Sequence, residues 1–385
     1  MTMLKSERGN VSPFIVMDVM ERARQLEAQG RHIIHMEVGQ PSTPAPHSAR
    51  SAVAQAMSGH DALGYTVALG RPDLRARIAE LYQEWYGIRL DPERVVVTAG
   101  SSAAFSLAFC ALFDNDARVG IGAPGYPSYR QILRSLGYQP VDIPTQLEYG
   151  FQPQPSDLGQ YDLSGLLVAS PANPTGTMLS HAELEPLMKA CDDHNVSFIS
   201  DEIYHGLEYS KKSVSALEIS DNCYVINSFS KYFSMTGWRI GWMIVPPDHI
   251  RHVERIAQNM FICAPHSSQL AALHAFDGTD ELEANLHVYA VNRTYLLNEL
   301  PRIGLAEFAS PDGGFYFYID VSAYTQDSLE FCTRALEHAG VAITPGLDFD
   351  PLRGHSTIRI SYARSHDDIV EGCARLKQFI QGWQV

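Results

Sequence analysis

The sequence predicts an α/β protein with a mostly parallel central sheet covered by helices and a second, smaller α+β unit. Short apolar runs alternate with amphipathic stretches through most of the chain, which is the pattern of parallel strands joined by helices. Several of the runs are apolar throughout, as expected for strands whose two faces are both buried. At about 150 residues per domain, the 385 residues suffice for two or three domains.

The elements of the sheet region are predicted in chain order from this alternation. Apolar runs predict strands at 32–38, 94–98, 118–121, 166–170, 196–200, 223–227 and 239–245. Amphipathic stretches between several of them predict helices at 71–86, 102–112, 127–136 and 182–194. Helices between consecutive strands are typical of parallel pairing.

The pattern changes after residue 245. Three helices are predicted at 248–260, 266–276 and 281–300, followed by an apolar segment at 313–321, a helix at 328–339, a strand at 356–362 and a helix at 366–383. This tail predicts a smaller α+β unit, which a helix predicted at 13–29 completes. We therefore expect a large domain over residues 45–285 and a small domain formed by residues 1–44 and 286–385.

The composition is that of a globular protein rather than a disordered or fibrous one, with 45% apolar and 19% charged residues. The balance of 29 Lys and Arg against 44 Asp and Glu gives a net charge of −15. Nucleic acids and anionic membranes attract basic surfaces, so neither is expected as a partner. An anionic substrate would therefore have to be held by a local arginine.

Neither a membrane span nor an export signal is expected. The longest apolar run, at 103–113, is well short of the roughly 20 residues that cross a bilayer. The apolar stretch at 14–17 is followed by Asp18 and does not resemble a signal peptide. The 6 cysteines occur singly, without a Cys-x-x-Cys pair, which predicts reduced thiols and a cytoplasmic protein.

The residues that follow each predicted strand are the first candidates for a site, because ligands of open α/β sheets bind beyond the carboxyl ends of the strands. After the strand at 94–98, Gly100, Ser101 and Ser102 open a helix. Unpaired N–H groups and the positive end of the helix dipole would suit a phosphate there. An ordinary capped helix start is the alternative interpretation.

Two further strand ends carry polar side chains. After 166–170, Asn173 stands in a turn rich in proline and glycine, which could aim its amide into a cleft or be only a turn. After 196–200 come Asp201 and Tyr204. An acid at the end of an apolar strand is either a helix cap or a functional carboxylate, since burial without a partner is costly.

The segment after 223–227 carries the strongest chemical signal. It reads SFSKYFSMTGWRIGW from Ser228 and contains no acid, and its two cations, Lys231 and Arg239, stand among aromatic residues, hydroxyls and glycines. Loss of water around a lysine lowers its pKa and makes its amine a nucleophile that can form an imine. A lysine extending from a surface turn is the alternative. Together the four strand ends match the needs of a pyridoxal phosphate site.

With these residues in view, the sequence resembles the class I/II aminotransferases, which are pyridoxal-phosphate enzymes of fold type I. The resemblance runs from Gly39 to Arg359, and its most specific part is Ser-x-Ser-Lys with arginine eight residues after Lys231. It implies a fold type I transferase that uses pyridoxal 5'-phosphate. It also implies transfer of the amino group of an L-amino acid to a 2-oxo acid, by a ping-pong mechanism through a Schiff base at Lys231.

The resemblance also implies a role for each matching residue. Asp201 would keep the pyridine nitrogen protonated, and Asn173 and Tyr204 would donate to the ring oxygen. Tyr126 would stack on the face of the ring. The phosphate would be held by four residues of the same chain, namely Ser101, Ser102, Ser228 and Arg239.

Three more residues are implied at the rim of the site. Arg359 would clamp the substrate α-carboxylate, and Gly39 would touch the same carboxylate, as Asn173 would. Without the resemblance, Arg359 could equally be an exposed arginine on a strand. Tyr65 would reach the phosphate of a neighbouring subunit, which implies a homodimer.

Some features leave alternatives open. Ser101 stands where some aspartate-specific relatives carry a basic residue, which weakens an aspartate assignment. A carbon–sulfur β-lyase would need the same site residues as an aminotransferase. A non-catalytic effector domain is disfavoured, because the fold starts by about residue 13 and the chain is acidic.

A dinucleotide-binding fingerprint is also present, as Gly120, Gly122 and Gly125 follow a predicted strand. It would support an NAD-dependent dehydrogenase. Pro124 and Pro127 flank the last glycine, however, where such a site needs N–H groups of a helix already under way. The dehydrogenase interpretation is therefore disfavoured, and no metal site is expected from the spacing of the histidines and cysteines.

Overall fold

A computed structural model describes residues 3–59 and 61–383. Twelve α-helices occur in this part of the chain, namely α1 (Ile15–Ala28), α2 (His47–Ser58), α3 (Pro72–Tyr86), α4 (Ser101–Leu112), α5 (Pro127–Leu136), α6 (Pro155–Leu158), α7 (His181–Asp193), α8 (Ile250–Met260), α9 (His266–Ala275), α10 (Thr279–Arg302), α11 (Ser328–Arg334) and α12 (His366–Gln381). The helix α11 continues into a π-helical turn at Ala335–Ala339.

The strands of the same described ranges are β1 (Ile34–His35), β2 (Val95–Thr98), β3 (Arg118–Ala123), β4 (Gln139–Pro144), β5 (Gly165–Ala169), β6 (Ser197–Asp201), β7 (Tyr224–Ser228), β8 (Gly241–Ile244), β9 (Tyr316–Asp320), β10 (Val341–Ala342), β11 (Thr344–Pro345) and β12 (Thr357–Ser361). Seven of them form the central sheet in the order β2-β8-β7-β6-β5-β3-β4. A three-stranded antiparallel sheet has the order β11-β12-β9, and β1 pairs with β10.

The prediction of an α/β fold with a mostly parallel sheet is confirmed, and β8 is the exception within it. It runs antiparallel to both β2 and β7. Because β8 is reversed, its first residues lie at the edge of the sheet where the carboxyl ends of its neighbours lie. Arg239, which lies two residues before the first residue of this strand, is thereby brought to the same edge as Lys231.

Sequence patterns missed β4, α2 and the short elements α6, β10 and β11, and they overextended the strand at β1. The edge strand β4 contains Pro140 and Pro144, which mask a strand signal but are tolerated at a sheet edge. The helix α2 was not predicted. The strand predicted at 32–38 is reduced to β1, because the chain leaves this pair after His35 and the Met36 carbonyl accepts a hydrogen bond from Ser361 instead.

Side chains from both faces of the central sheet are buried, as the uninterrupted apolar strands predicted. Val95 and Val97 of β2 belong to one hydrophobic cluster, whereas Val96 belongs to another on the opposite face. No helix within the described ranges is long and apolar enough to cross a membrane.

We propose the division into a large domain over 45–285 and a small domain over 1–44 and 286–385. The three-stranded sheet, β1 and β10 all belong to the second set of residues. The boundary at residue 285 falls within α10, so this long helix would connect the two units. Residues 1, 2, 60, 384 and 385 lie outside the described part of these domains.

Candidate active site

A cavity of about 520 Å³ lies at the carboxyl edge of the parallel strands. It is lined by ten of the residues predicted from the sequence, namely Gly39, Ser101, Ser102, Tyr126, Asn173, Asp201, Tyr204, Lys231, Arg239 and Arg359. The strand ends supply most of them, whereas Gly39 comes from the N-terminal segment and Arg359 from β12. The fold therefore brings residues from both ends of the chain to one cavity.

The amine of Lys231 stands in the turn that follows β7. It donates a hydrogen bond of 2.6 Å to the carbonyl of Gly39 and lies 5.6 Å from the centre of the Tyr204 ring. Burial lowers the pKa of Lys231 to about 7, helped by the positive charges of Arg359 and Arg239 and opposed by Asp201. A substantial fraction of the amine is therefore uncharged near neutral pH, which is the state that reacts as a nucleophile.

Gly39 has to be a glycine for a steric reason. A Cβ atom at this position would overlap the hydroxyl of Tyr316, which packs against the loop. The close approach lets the Gly39 carbonyl reach the amine of Lys231. The N-terminal segment thereby contributes a backbone acceptor to the site.

The carboxylate of Asp201 ends β6 and is almost fully buried. The hydroxyl of Tyr129 donates to its Oδ2, and the N–H of Ile203 donates to its Oδ1 over 3.1 Å. Burial raises the pKa of Asp201 to about 7, while these hydrogen bonds and the charge of Lys231 act in the opposite direction. Asp201 thus accepts a hydrogen bond from the backbone of the turn that follows β6, and it also lines the cavity.

Arg359 is buried, with 2% of its surface exposed, which rules out the alternative of an exposed strand arginine. Its guanidinium donates to the Asn173 Oδ1 over 2.9 Å and to the Glu37 carbonyl, and it stacks between the rings of Tyr316 and Phe349. These partners are neutral, and its Nε has no hydrogen-bond partner among the described residues. A buried cation in this state favours an anionic ligand.

Arg239 also lines the cavity and lies beside the first turn of α4. Its backbone is left-handed, with a φ of 51°, and it contacts Gly100, where a Cβ atom would overlap the guanidinium. No side chain caps α4, which begins at Ser101. The arginine and the amino end of the helix therefore present positive charge and N–H donors to the same part of the cavity.

Two predicted site residues do not line this cavity. Ser228 is buried, and its hydroxyl donates to the Ile240 carbonyl over 3.1 Å and accepts from the hydroxyl of Ser230 over 2.8 Å. Ser230, which the sequence analysis did not single out, lines the cavity instead. Tyr65 is 83% exposed and lies outside the cavity of its own chain.

Sequence reasoning also missed several other cavity residues. Tyr129 is three positions after Tyr126, a spacing that puts the two rings on one side of α5 with their centres 5.2 Å apart, and this signal could have been used. Tyr316 bonds the hydroxyl of Tyr204 over 2.7 Å. Phe14, Val16 and Met17 of the N-terminal segment gave no such signal, because only the folded chain brings them to the site.

The turn that carries the dinucleotide-binding fingerprint uses its backbone groups for hydrogen bonds within the protein. The N–H of Gly125 donates to the carbonyl of Phe349 over 3.0 Å, and the guanidinium of Arg353 donates to the carbonyl of Ala123. A nucleotide pyrophosphate would need the N–H of Gly125 as a donor, and Phe349 already accepts it. The turn is thus part of the packing between β3 and the segment before β12.

Comparisons with known proteins decide the family. The model of the family described as aminotransferase class I and II matches residues 31–376. The chain is a class I/II aminotransferase. Its reaction moves an amino group from an amino acid to a 2-oxo acid, and its fold is the fold type I that the sequence resemblance implied.

Individual relatives of this aminotransferase cover nearly the whole chain. A protein named valine–pyruvate aminotransferase from Mycobacterium tuberculosis is 46% identical over 97% of each chain. An aspartate aminotransferase from Sulfurisphaera tokodaii is 32% identical over 96% of this chain and 94% of that protein. A crystal structure of a Silicibacter pomeroyi protein is 61% identical, with a TM-score of 0.94 over 98% of this chain and 100% of that one.

Members of this family use pyridoxal 5'-phosphate, and the cavity residues of this aminotransferase fit that group. The unsatisfied Nε of Arg359 and the uncapped first turn of α4 are two separate positions for anions. The same cavity holds a buried carboxylate suited to a pyridinium nitrogen and the amine of Lys231, whose pKa is lowered. A phosphate, a ring nitrogen, an aldehyde and a substrate carboxylate each find a partner of matching chemistry.

The hydrogen bond from Tyr129 stabilises the ionised carboxylate of Asp201. Tyr129→Phe removes this bond and is therefore expected to raise the pKa of Asp201 further, by about one unit. The fraction of ionised Asp201 at neutral pH would fall accordingly. Infrared titration of the carboxyl band in cofactor-free protein, with Asp201→Asn as the spectral reference, measures this shift. Tyr126→Phe removes a hydroxyl that does not bond Asp201 and serves as the matched control. Equal pKa values in the two variants would contradict this role of Tyr129.

Proposed function

We propose that Lys231 is the residue through which this aminotransferase binds its cofactor covalently and moves the substrate proton. The observation that carries this proposal is the position of its amine, whose pKa is lowered to about 7, in the same cavity as the buried Arg359. When bound, pyridoxal 5'-phosphate supplies a sink for the electrons left on the α-carbon of the amino acid. Lys231 would accept the α-proton as a base and return it as an acid.

The remaining site residues would orient the cofactor. Asp201 would pair with the pyridine nitrogen and hold its positive charge. Asn173 uses its amide oxygen to accept from Arg359, which leaves its amide nitrogen as a donor for the ring oxygen, beside the hydroxyl of Tyr204. Tyr126 would cover the ring face. Ser101, Ser102 and Arg239 would hold the phosphate, with Ser230 lining the cavity beside them and Ser228 bonded to Ser230.

Arg359 would bind the α-carboxylate of the amino acid and, in the second half-reaction, that of the 2-oxo acid. The planar guanidinium can form two parallel hydrogen bonds to a carboxylate, and stacking on Tyr316 and Phe349 restricts its orientation. The carbonyl of Gly39 already lies near the reacting amine. These contacts would fix the positions of Arg359, which would bind the carboxylate, and of Lys231, which would transfer the proton.

We further propose that the preferred amino acid has an uncharged aliphatic side chain, with pyruvate as the 2-oxo acid. The cations that line the described cavity are Lys231, Arg239 and Arg359, and each has a role in binding cofactor or α-carboxylate. No further cation lines it to pair with a distal carboxylate. The relative at 46% identity is named for valine and pyruvate, whereas the relatives named for aspartate are about 30% identical.

A homodimer is the assembly that we propose for this enzyme. Tyr65 is 83% exposed and is followed by Val67, which is 57% exposed. The carbonyl of Gly64 accepts a hydrogen bond from His266, and Ile262 nearby in sequence is 51% exposed. Large apolar side chains exposed to this extent favour burial against another protein surface. A second copy would cover them and bring Tyr65 to the phosphate of the neighbouring site.

A panel of amino acids tests the proposed substrate class. We expect L-valine to convert the bound cofactor with a kcat/KM about a hundredfold higher than L-aspartate, because a distal carboxylate would be buried without a counterion. The absorbance change of the cofactor measures the half-reaction, and pyruvate should restore the original spectrum. Equal rates for the two amino acids would contradict the proposal. Release of pyruvate and ammonia from sulfur amino acids would favour a carbon–sulfur β-lyase instead.

A further inference from the structure

A second cavity of about 400 Å³ lies directly beside the catalytic cavity. Two residues, Phe14 and Ser102, line both of them. Ser102 belongs to the first turn of α4 and has a short side chain. The ring of Phe14 is therefore the main side chain that separates the two spaces.

Hydrogen bonds on both sides of Phe14 hold it in this position. The N–H groups of Ile15 and Val16 donate to the two carboxylate oxygens of Asp348 over 3.0 and 3.2 Å. On the other side, the N–H of Ser12 donates to Gln131 Oε1 over 3.3 Å. Asp348 thus caps α1, whose first residue follows Phe14 directly.

The ring of Phe14 also contacts the catalytic wall. It meets the ring of Tyr126 edge to face, with the centroids 5.9 Å apart and an interplanar angle of 81°. Edge-to-face pairs of this kind are a favourable aromatic arrangement. The position of Phe14 is therefore set by α1, by Asp348 and by the aromatic ring at the site.

The chemistry of the second cavity differs from that of the catalytic one. It has no charged side chain in its lining, which consists of apolar groups, hydroxyls and one amide, namely Ser12, Pro13, Phe14, Ser102, Ser106, Pro127, Ser128, Gln131, Ile132, Ser135 and Leu136. Such a lining suits an aromatic group with a single polar atom, such as an indole or a phenol. A charged side chain would find no counterion there.

We propose that Phe14 is a specificity-determining residue, which limits this enzyme to compact side chains by closing the catalytic cavity off from the second cavity. The inference rests on the proposed function, because it assumes that the substrate is held by Arg359 and Lys231. With the ring in place, the amino-acid side chain meets an apolar wall formed by Phe14, Val16 and Met17. Without it, the side chain would extend into a space that already has suitable chemistry.

Phe14→Ala should join the two cavities. In the cofactor-loaded enzyme we expect kcat/KM for L-tryptophan and L-phenylalanine to rise at least about tenfold, while that for L-valine falls by about two- to fivefold. Met17→Ala, which enlarges only the catalytic cavity, and Ile132→Ala, which enlarges only the second one, should not produce the gain. Phe14→Leu is a milder variant, in which a smaller gain is expected if the alanine variant does not fold.

Refilling the second cavity provides the reverse test. The double variant Phe14→Ala with Ile132→Trp should lose the gain for L-tryptophan while keeping the activity with L-valine of the single variant. A Phe14→Ala enzyme with an intact cofactor spectrum and no gain for either aromatic amino acid would overturn the inference. So would an equal gain in Met17→Ala.

Ligand binding separates a failure of this inference from a failure of the proposed function. Calorimetric titration with indole-3-propionate and with isovalerate measures binding without turnover. Phe14→Ala should bind indole-3-propionate at least about tenfold more tightly than the parent enzyme does, with isovalerate little changed. An enzyme that transaminates no amino acid but shows this binding change would contradict the proposed function alone. Normal turnover with unchanged binding would contradict the role of Phe14 alone.

Discussion

Lys231→Ala is expected to reduce turnover by about 10⁴-fold or more, because it removes both the covalent attachment point and the proton-transfer group. The variant should still bind the cofactor through its phosphate and ring contacts, although loosely. Borohydride reduction followed by peptide mapping should find no adduct in the variant and a single adduct at Lys231 in the parent. An adduct at a different lysine of the parent enzyme would contradict the assignment.

The control for this experiment is a lysine outside the cavity. Lys189 is exposed and pairs with Asp193 over 2.6 Å within α7. Lys189→Ala should leave the adduct, the cofactor spectrum and the turnover unchanged, because an exposed ion pair contributes little to stability. The contrast with Lys231 follows from burial, which lowers the pKa of Lys231 to about 7 and makes its amine reactive at neutral pH.

Arg359→Ala is expected to raise the KM for amino acids by about a hundredfold, because two charge-assisted hydrogen bonds to the carboxylate are lost. The adduct at Lys231 should still form, since the cofactor is attached elsewhere in the cavity. Arg359→Lys keeps the charge but cannot form the planar pair of hydrogen bonds. Its KM should therefore lie between that of the parent enzyme and that of Arg359→Ala. The change in KM and the change in kcat, both measured with L-valine, separate an effect on substrate binding from an effect on proton transfer.

The fold could respond to the same substitution, because Arg359 is buried and bonds Asn173 and the Glu37 carbonyl. Retention of the borohydride adduct in Arg359→Ala serves as the check that the cavity is intact. Arg251, which is exposed and pairs with Glu254, offers a matched arginine control. An unchanged KM in Arg359→Ala with an intact adduct would remove the clamp role of this residue.

Much of the fold could be predicted from local patterns, and the reason is physical. A buried parallel strand needs apolar residues on both faces, so β5, β6 and β7 are recognisable from their composition alone. The helix α5 matches its predicted bounds, since Pro127 begins it and Gly137, with a φ of 92°, ends it. The edge strand β4, with two prolines, has no such local signal.

The strand ends explain why part of the site was predictable too. Parallel strands place their carboxyl ends at one edge, so Asn173, Asp201 and Lys231 converge once the strand order is correct. The motif around Lys231 is also local, as Lys231 and Arg239 both lie in the single loop, residues 229–240, that joins β7 to β8. The roles of Asn173, Asp201 and Lys231 at the cofactor remain predictions, which are supported by burial, by hydrogen bonds and, for Asp201 and Lys231, by the direction of the pKa shifts.

The amino-acid sequence by itself determined the alternating elements, the family and the residues at the strand ends, because these depend on neighbours in the chain. Only the tertiary structure decided that Arg359 is buried, with an Nε that has no hydrogen-bond partner in the part of the chain that the structure describes, and that Tyr129 bonds Asp201. The same holds for Phe14, which Asp348 holds between two cavities. Each of these contacts joins segments far apart in sequence, and such pairs are selected by the packing of the whole molecule rather than by local propensity.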